Sequence, residues 1–170
     1  IRFRTRKHLA LLVFLAVEKT FPNRRDRLAS LLWPKVGTDE GRHSLATGLS
    51  VLRSRLRADA FESGRDTVRL IPGRVVTDLL ALEGGADTAL TAPLPRPFLE
   101  DFEAGEVPEF QMWCDARRAE NMPIIEAALI ARIADCRRRG DAHNMEQLAL
   151  RLQKLDSLNE AGARAHLEAR

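Results

Sequence analysis

Apolar residues run almost unbroken from Leu9 to Val17. The run is longer than an ordinary strand and rich in Leu and Ala, so Lys7 to Glu18 reads as a buried helix. Ahead of it, residues 1–6 alternate Ile, Phe or Thr with Arg, a period of two that predicts the end of a strand with one wet face. Leu28, Leu31 and Leu32 form the next apolar stripe and mark a second helix. Asn23 is its expected N-cap, with Asp26 near the positive helix end, Pro34 as its stop and Gly37 in the following turn. A third helix starts at Thr38 or Asp39 and runs to about Arg57. Leu45, Leu49, Leu52 and Leu56 recur at helical spacing and define one narrow apolar face.

Further along, Asp66-Thr-Val-Arg-Leu-Ile71 and Arg74-Val-Val-Thr-Asp78 flank Pro72-Gly73. Two short β-rich runs around such a turn predict a hairpin over 66–78, with Arg69 and Arg74 near its tip. Strand, helix, helix, basic amphipathic helix and hairpin, in that order, are the parts of a winged helix-turn-helix, which assigns 1–83 to one domain. Gly84-Gly85 and Pro93, Pro95 and Pro97 then mark a boundary. Beyond it, 94–170 is helical: one helix over Glu109–Arg118, another from about Ile124 to Arg139, a third from about Ala142 to Leu155, and a last one beginning near Asn159 or Glu160. Pro123 is expected to kink or divide the helical stretch around it. Helix pairs joined by short turns are the unit of TPR-like solenoids, although no clean 34-residue repeat is present. The expected fold is mainly α with a small β component, a winged helix-turn-helix followed by a TPR-like helical domain. A chain that starts at Ile1 and stops at Arg170 inside a helical pattern reads as part of a longer protein, its helical domain truncated at the C-terminus.

Charge sharpens this picture. Net charge is +3, but residues 1–80 carry 16 Lys and Arg against 8 Asp and Glu, and residues 81–170 carry 11 against 16. A basic half joined to an acidic half points to a polyanion partner for the first half alone. On the third helix His43, Thr47, Ser50 and Ser54 lie opposite the leucines, with Arg42, Arg53 and Arg57 along one border and Arg55 along the other. Short polar groups can approach base edges in a major groove, and arginines can reach phosphates or guanine edges. His43 is compatible with a DNA contact or with plain exposure. Trp33 and Trp113 read as core, and Arg137-Arg138-Arg139 as cations closing a helix end.

The remaining chemistry is sparse. Cys114 and Cys136 are too few for a disulfide framework and lack metal-ligand spacing, which fits a reducing cytoplasm and implies neither metal nor cofactor. The segment Gly37–Arg42 lacks the spacing and the Lys-Ser/Thr of a phosphate-binding loop, and no nucleophile-elbow or zinc-protease motif occurs. The chain therefore reads as a non-enzyme. Leu9–Val17 is too short to span a bilayer, so no membrane partner is expected.

Three segments carry a family resemblance: Arg6-Lys7-His8-Leu9-Ala10, Arg25-Asp26-Arg27-Leu28 through Leu32-Trp33-Pro34, and Arg42-His43-Ser44-Leu45 with Leu49-Ser50-Val51-Leu52-Arg53. They resemble the OmpR-type DNA-binding domain of the SARP family of bacterial activators. Pro97-Phe98-Leu99-Glu100, Phe110, Trp113, Arg117-Arg118, Arg139-Gly140-Asp141, Leu155-Asp156 and Asn159-Glu160 are similar to that family's bacterial transcriptional activator domain. The resemblance covers nearly the whole chain and implies a cytoplasmic regulator of transcription. Such a regulator binds double-stranded promoter DNA, often at repeated sites, and recruits RNA polymerase; a homodimer is compatible with it. Two departures stand out: Ala46 occupies a position where the family usually has Arg, and Gly48 lies inside the third helix. They support the alternative reading, a protein-interaction or sensory module whose degenerate winged helix regulates an attached domain. Ser157, where Pro is common, concerns packing.

Overall fold

The computed structural model describes residues 3, 5–18, 20–75, 77 and 96–169. In chain order they form α1 (Arg6–Val17), β1 (Asn23–Arg24), α2 (Arg25–Leu32), α3 (Thr38–Leu56), a 3₁₀ turn (Ala58–Ala60), β2 (Phe61–Ser63), β3 (Thr67–Leu70), α4 (Pro108–Arg139), α5 (Ala142–Leu155) and α6 (Glu160–Glu168). Among the described residues the fold is thus mainly helical, with one three-stranded antiparallel sheet in the order β1-β3-β2. The chain divides into two compact units, one of Ile1–Val76 with Asp101–Asp115, the other of Thr77–Glu100 with Ala116–Arg170. No described helix is long and apolar enough to cross a membrane.

The first unit departs from the sequence reading at its start. Residues 1, 2 and 4 lie outside the described residues, while Phe3 and Thr5 belong to no strand. Thr5 is instead the N-cap of α1, its side chain accepting from the His8 N–H at 3.3 Å. A hydroxyl there satisfies one of the N–H groups that a helix start leaves open.

Asn23 is not the cap of α2. Its backbone pairs with Val68 in the sheet, and its side-chain amide donates to the Glu18 carbonyl at 3.0 Å. Arg24 takes the cap position without a capping side chain. Instead the Arg25 N–H donates to the Asp66 carbonyl at 2.9 Å, so the backbone of a neighbouring turn satisfies the first N–H of α2.

The hairpin lies one element upstream of its expected place. β2 and β3 pair with Phe61 opposite Leu70 and Ser63 opposite Val68. The Gly64 N–H donates to the Thr67 carbonyl at 3.1 Å and closes the loop around Arg65 and Asp66. This register buries Phe61, Val68 and Leu70 together. Pro72 and Gly73 do form a turn, with Gly73 at φ +81°, but Arg74 and Val75 are in no strand. Val76 and Asp78 lie outside the described residues. Period-two burial on one face is carried by β3, which buries Val68 and Leu70, and β2 joins it with Phe61 buried opposite Leu70.

Helix α3 is the centre of this unit. Leu45, Leu49 and Leu52 are fully buried, as are Leu11, Phe14 and Leu15 of α1 and Leu28 and Leu32 of α2. Both of those helices pack against α3. A Cβ at Gly48 would stand 3.2 Å from Leu11 Cδ2, 3.4 Å from His8 Cδ2 and 3.6 Å from the Trp33 ring. The glycine therefore lets α1 and Trp33 approach the α3 backbone closely. The first turns of α4 also belong here. Phe110 is buried, and the Trp113 ring lies 4.8 Å from Phe14 and 5.3 Å from Phe110, centroid to centroid. The Trp113 Nε1–H donates to Glu18 Oε1 at 2.9 Å.

In the second unit α4, α5 and α6 enclose a core of Ile125, Leu129, Ile133, Met145, Leu152 and Ala165. Pro123 does not divide α4, which runs unbroken from Pro108 to Arg139. Proline removes one N–H and crowds one carbonyl, and the exposed Pro123 bears this cost beside the buried run that starts at Ile125. At the C-terminus of α4 the Asp141 N–H donates to the Cys136 carbonyl and the Gly140 N–H to the Arg137 carbonyl. That bond pair with Gly140 at φ +70° is a Schellman cap, and Asp141 at once caps α5 by accepting from the Asn144 N–H at 3.1 Å. Asn159 caps α6 in the same way, accepting from the Gly162 N–H.

The close approach at Gly48 generates a prediction. Gly48→Val should destabilise the protein by about 1–3 kcal/mol, as overpacking does in well-filled cores. Urea unfolding followed by circular dichroism measures it; a midpoint equal to or above wild type would refute the tight contact.

Candidate nucleic-acid interface

The rotation of α3 is set by its leucines, and it leaves His43, Thr47, Ser50 and Ser54 exposed on the opposite side. All four residues lie on one face, as their spacing requires. Ser54 Oγ donates to the Val51 carbonyl at 2.8 Å, so its hydroxyl is already satisfied locally. Asp39 and Glu40 occupy the first turn of α3, where carboxylates favour the positive helix end.

The expected arginine contacts are placed less uniformly. Arg42 Nε donates to Asp26 Oδ1 at 2.9 Å, and its guanidinium is 3.7 Å from Asp39. Arg53 is half-buried and turned toward the sheet, donating to Ser63 Oγ at 2.7 Å with its guanidinium carbon 5.9 Å from the centroid of the Phe61 ring. It ties α3 to β2. Arg57 closes α3 at φ +76° and lies 3.4 Å from Asp59. Arg74 reaches the same carboxylate at 3.8 Å. Arg69 donates two hydrogen bonds to Glu62 Oε2, at 3.0 and 2.6 Å, across the β2–β3 pair. Arg55 is exposed and has no hydrogen-bond or ion-pair partner among the described residues. Thus α3 gathers the polar face and Arg55, while Arg42, Arg53, Arg57, Arg69 and Arg74 also hold internal partners.

Two residues that the sequence reading did not select join this surface. Arg65 sits in the loop of the observed hairpin, where Arg69 and Arg74 were expected. Arg25 starts α2, and its buried Nε has no hydrogen-bond partner among the described residues. With Arg42 they line a cleft of about 370 Å³ that also holds Asp26 and Asp66. The signal for Arg65 was the Gly64-Arg65-Asp66 triplet, a turn sequence placed between two β-rich runs once Phe61 is counted as strand. Comparison of the chain with protein-family models and with curated proteins gives no match.

Asp26 and Arg42 dominate the local electrostatics. The hydrogen bond from Arg42, and then its charge, hold the Asp26 carboxyl below the ordinary carboxylate value; the same contact raises Arg42. Both groups are exposed, so the pair is weak and screened by salt.

A folded-state value lowered below the unfolded one stabilises the fold above the unfolded value, and the effect is lost as pH falls through the folded value. Wild type should therefore exceed Asp26→Asn slightly in stability at neutral pH, and the two should converge in acid below the ordinary aspartate value. Urea midpoints at neutral and strongly acidic pH test this. A gap that persists unchanged in acid would show that Asp26 acts through something other than its charge.

Proposed function

We propose that the first unit is a winged helix-turn-helix and that the chain is a sequence-specific, double-stranded-DNA-binding regulator of transcription. In this reading α3 lies in the major groove, with His43, Thr47 and Ser50 toward the base edges. Arg55 and Arg57 reach phosphates near the C-terminal end of α3. The β2–β3 hairpin is the wing, and Arg65 at its tip grips the adjacent backbone. The observation that carries the reading is the exposed face of short polar side chains on α3, bordered by arginines, in the half of the chain that holds the positive charge. Proposed alongside it are a TPR-like character for the helical second unit, a cytoplasmic location and membership of the SARP type of activator.

The internal carboxylates bear on affinity rather than on geometry. The Asp26–Arg42 pair is exposed, hence weak and screened by salt, so a phosphate can compete with Asp26 for Arg42. Gly48 no longer counts against DNA binding, because packing against α1 accounts for it. A second reading, a protein-interaction module with a winged helix that no longer holds DNA, draws on Asp26, Asp59 and Glu62. These carboxylates pair Arg42, Arg57, Arg74 and Arg69 internally, and Ala46 adds no cation.

A fluorescence-anisotropy titration against DNA from upstream of the gene, with scrambled competitor, separates the two readings. If about five arginines meet phosphates, log affinity should fall against log salt with a slope near −4 to −5. Arg55→Ala should weaken binding and make that slope shallower by about one. Binding lost equally to scrambled DNA, or a slope near zero, would favour the interaction module.

A further inference from the structure

The second unit carries a net-acidic stretch of sequence, yet one of its concavities is basic. Between α4 and α5 lies a cleft of about 890 Å³, within the usual size range of small-molecule sites. Five cations line it: Arg132 and Arg139 on α4, Arg151 and Lys154 on α5, and Arg96 from the segment before α4. The Gly140-Asp141 turn makes the two helices antiparallel neighbours, and this fixes the order of groups along the cleft. At about 1.5 Å per residue, Arg132 stands roughly 10 Å and Arg151 roughly 13 Å from the turn end of their helices, and Lys154 lies farther still. The middle of the floor is Cys136 and Leu148, with Leu155 beyond them. At the turn end are Arg139, whose charge is met by Asp135, and the Asp141 and Asn144 side chains.

Arg132, Arg151 and Lys154 therefore stand toward the end of the cleft away from the turn, whereas Arg139 at the turn end is met by Asp135. Arg151 and Lys154 have no ion-pair partner among the described residues. Arg132 is half-buried, and its guanidinium is held below the ordinary arginine value by burial and then by Arg151. Two guanidinium groups close enough to repel one another, in a concave and partly desolvated site, impose a cost that a bound anion would remove. Glu100 and Asp141 are the carboxylates on the wall, against five cations.

We infer that this cleft binds a small molecule with a compact polyanionic head, of the phosphate-ester or diphosphate class, seated among Arg96, Arg132, Arg151 and Lys154, and an uncharged body lying over Cys136 and Leu148 toward Asn144. An acidic peptide fits less well. Its charges would be spread along the cleft, and the turn end presents Asp141, whose carboxyl is kept ionised by hydrogen bonds from Asn144. The inference stands independently of DNA binding.

Isothermal titration of the full chain with inorganic pyrophosphate tests the head group, with hexaglutamate as the peptide probe. The expected result is saturable one-to-one binding of pyrophosphate that Arg151→Gln weakens by about tenfold or more, the cost of losing a charge-assisted hydrogen bond. Arg138→Gln removes the same charge from α4 outside the cleft and should leave the affinity unchanged. Arg151 is exposed on one side, so the variant should fold, and its circular dichroism spectrum checks that. Absence of saturable pyrophosphate binding, equal loss in the two variants, or tighter binding of hexaglutamate would each overturn the inference.

Discussion

The approach of α1 to α3 at Gly48 is the contact on which the candidate interface depends. Glycine inside a helix costs about 1 kcal/mol relative to alanine. Here that cost is offset because Leu11, His8 and Trp33 reach within 3.2–3.6 Å of where a Cβ would stand. The contact lets α1 and Trp33 close on α3 in the rotation that its buried leucines set. With Leu45, Leu49 and Leu52 turned inward, His43, Thr47, Ser50 and Ser54 must face out. Without that lock a polar helix face has no defined orientation, and the arginines bordering it have no common direction.

Charge in this protein is decided by neighbours more than by totals. The first 80 residues have twice as many cations as carboxylates, yet Asp26, Asp59 and Glu62 sit against four of the arginines that the sequence offers to DNA. Such exposed pairs are weak in water and exchange readily. They lower the resting field of the surface. The second unit shows the converse: a net-acidic stretch of sequence carries a cleft lined by five cations. Net charge describes long-range attraction, whereas binding responds to the few groups that share a concavity.

The helix order, the α3 span and the leucine periodicity were legible in the sequence because each rests on local rules: helix propensity, a spacing of three and four, and capping by residues close in the chain. The α5 and α6 boundaries were legible for the same reason, with Gly140-Asp141 and Asn159 as punctuation. Less legible were the elements fixed by partners distant in sequence. Asn23 has the chemistry of an N-cap, but pairing with Val68 drew it into a strand. Phe61-Glu62-Ser63 is too short to announce itself, and it became a strand because β3 was available to bury Phe61 opposite Leu70. Pro123 carries a strong local signal for a break, and the helix continues through it.

By itself, then, the sequence determined a mainly helical chain, a basic first half, an amphipathic α3 with a polar face, and the lack of any recognised enzyme motif. The tertiary structure decided which arginines are engaged by Asp26, Ser63, Glu62 or Asp59, and that Arg65 holds the hairpin loop. It also gave Gly48 its purpose and brought Arg132 and Arg151 into one cleft. The division has a physical cause. Periodicity and capping act over a few residues and are written into neighbouring positions. Ion pairs, register and close packing depend on groups tens of residues apart, and their distances exist only once the chain has folded.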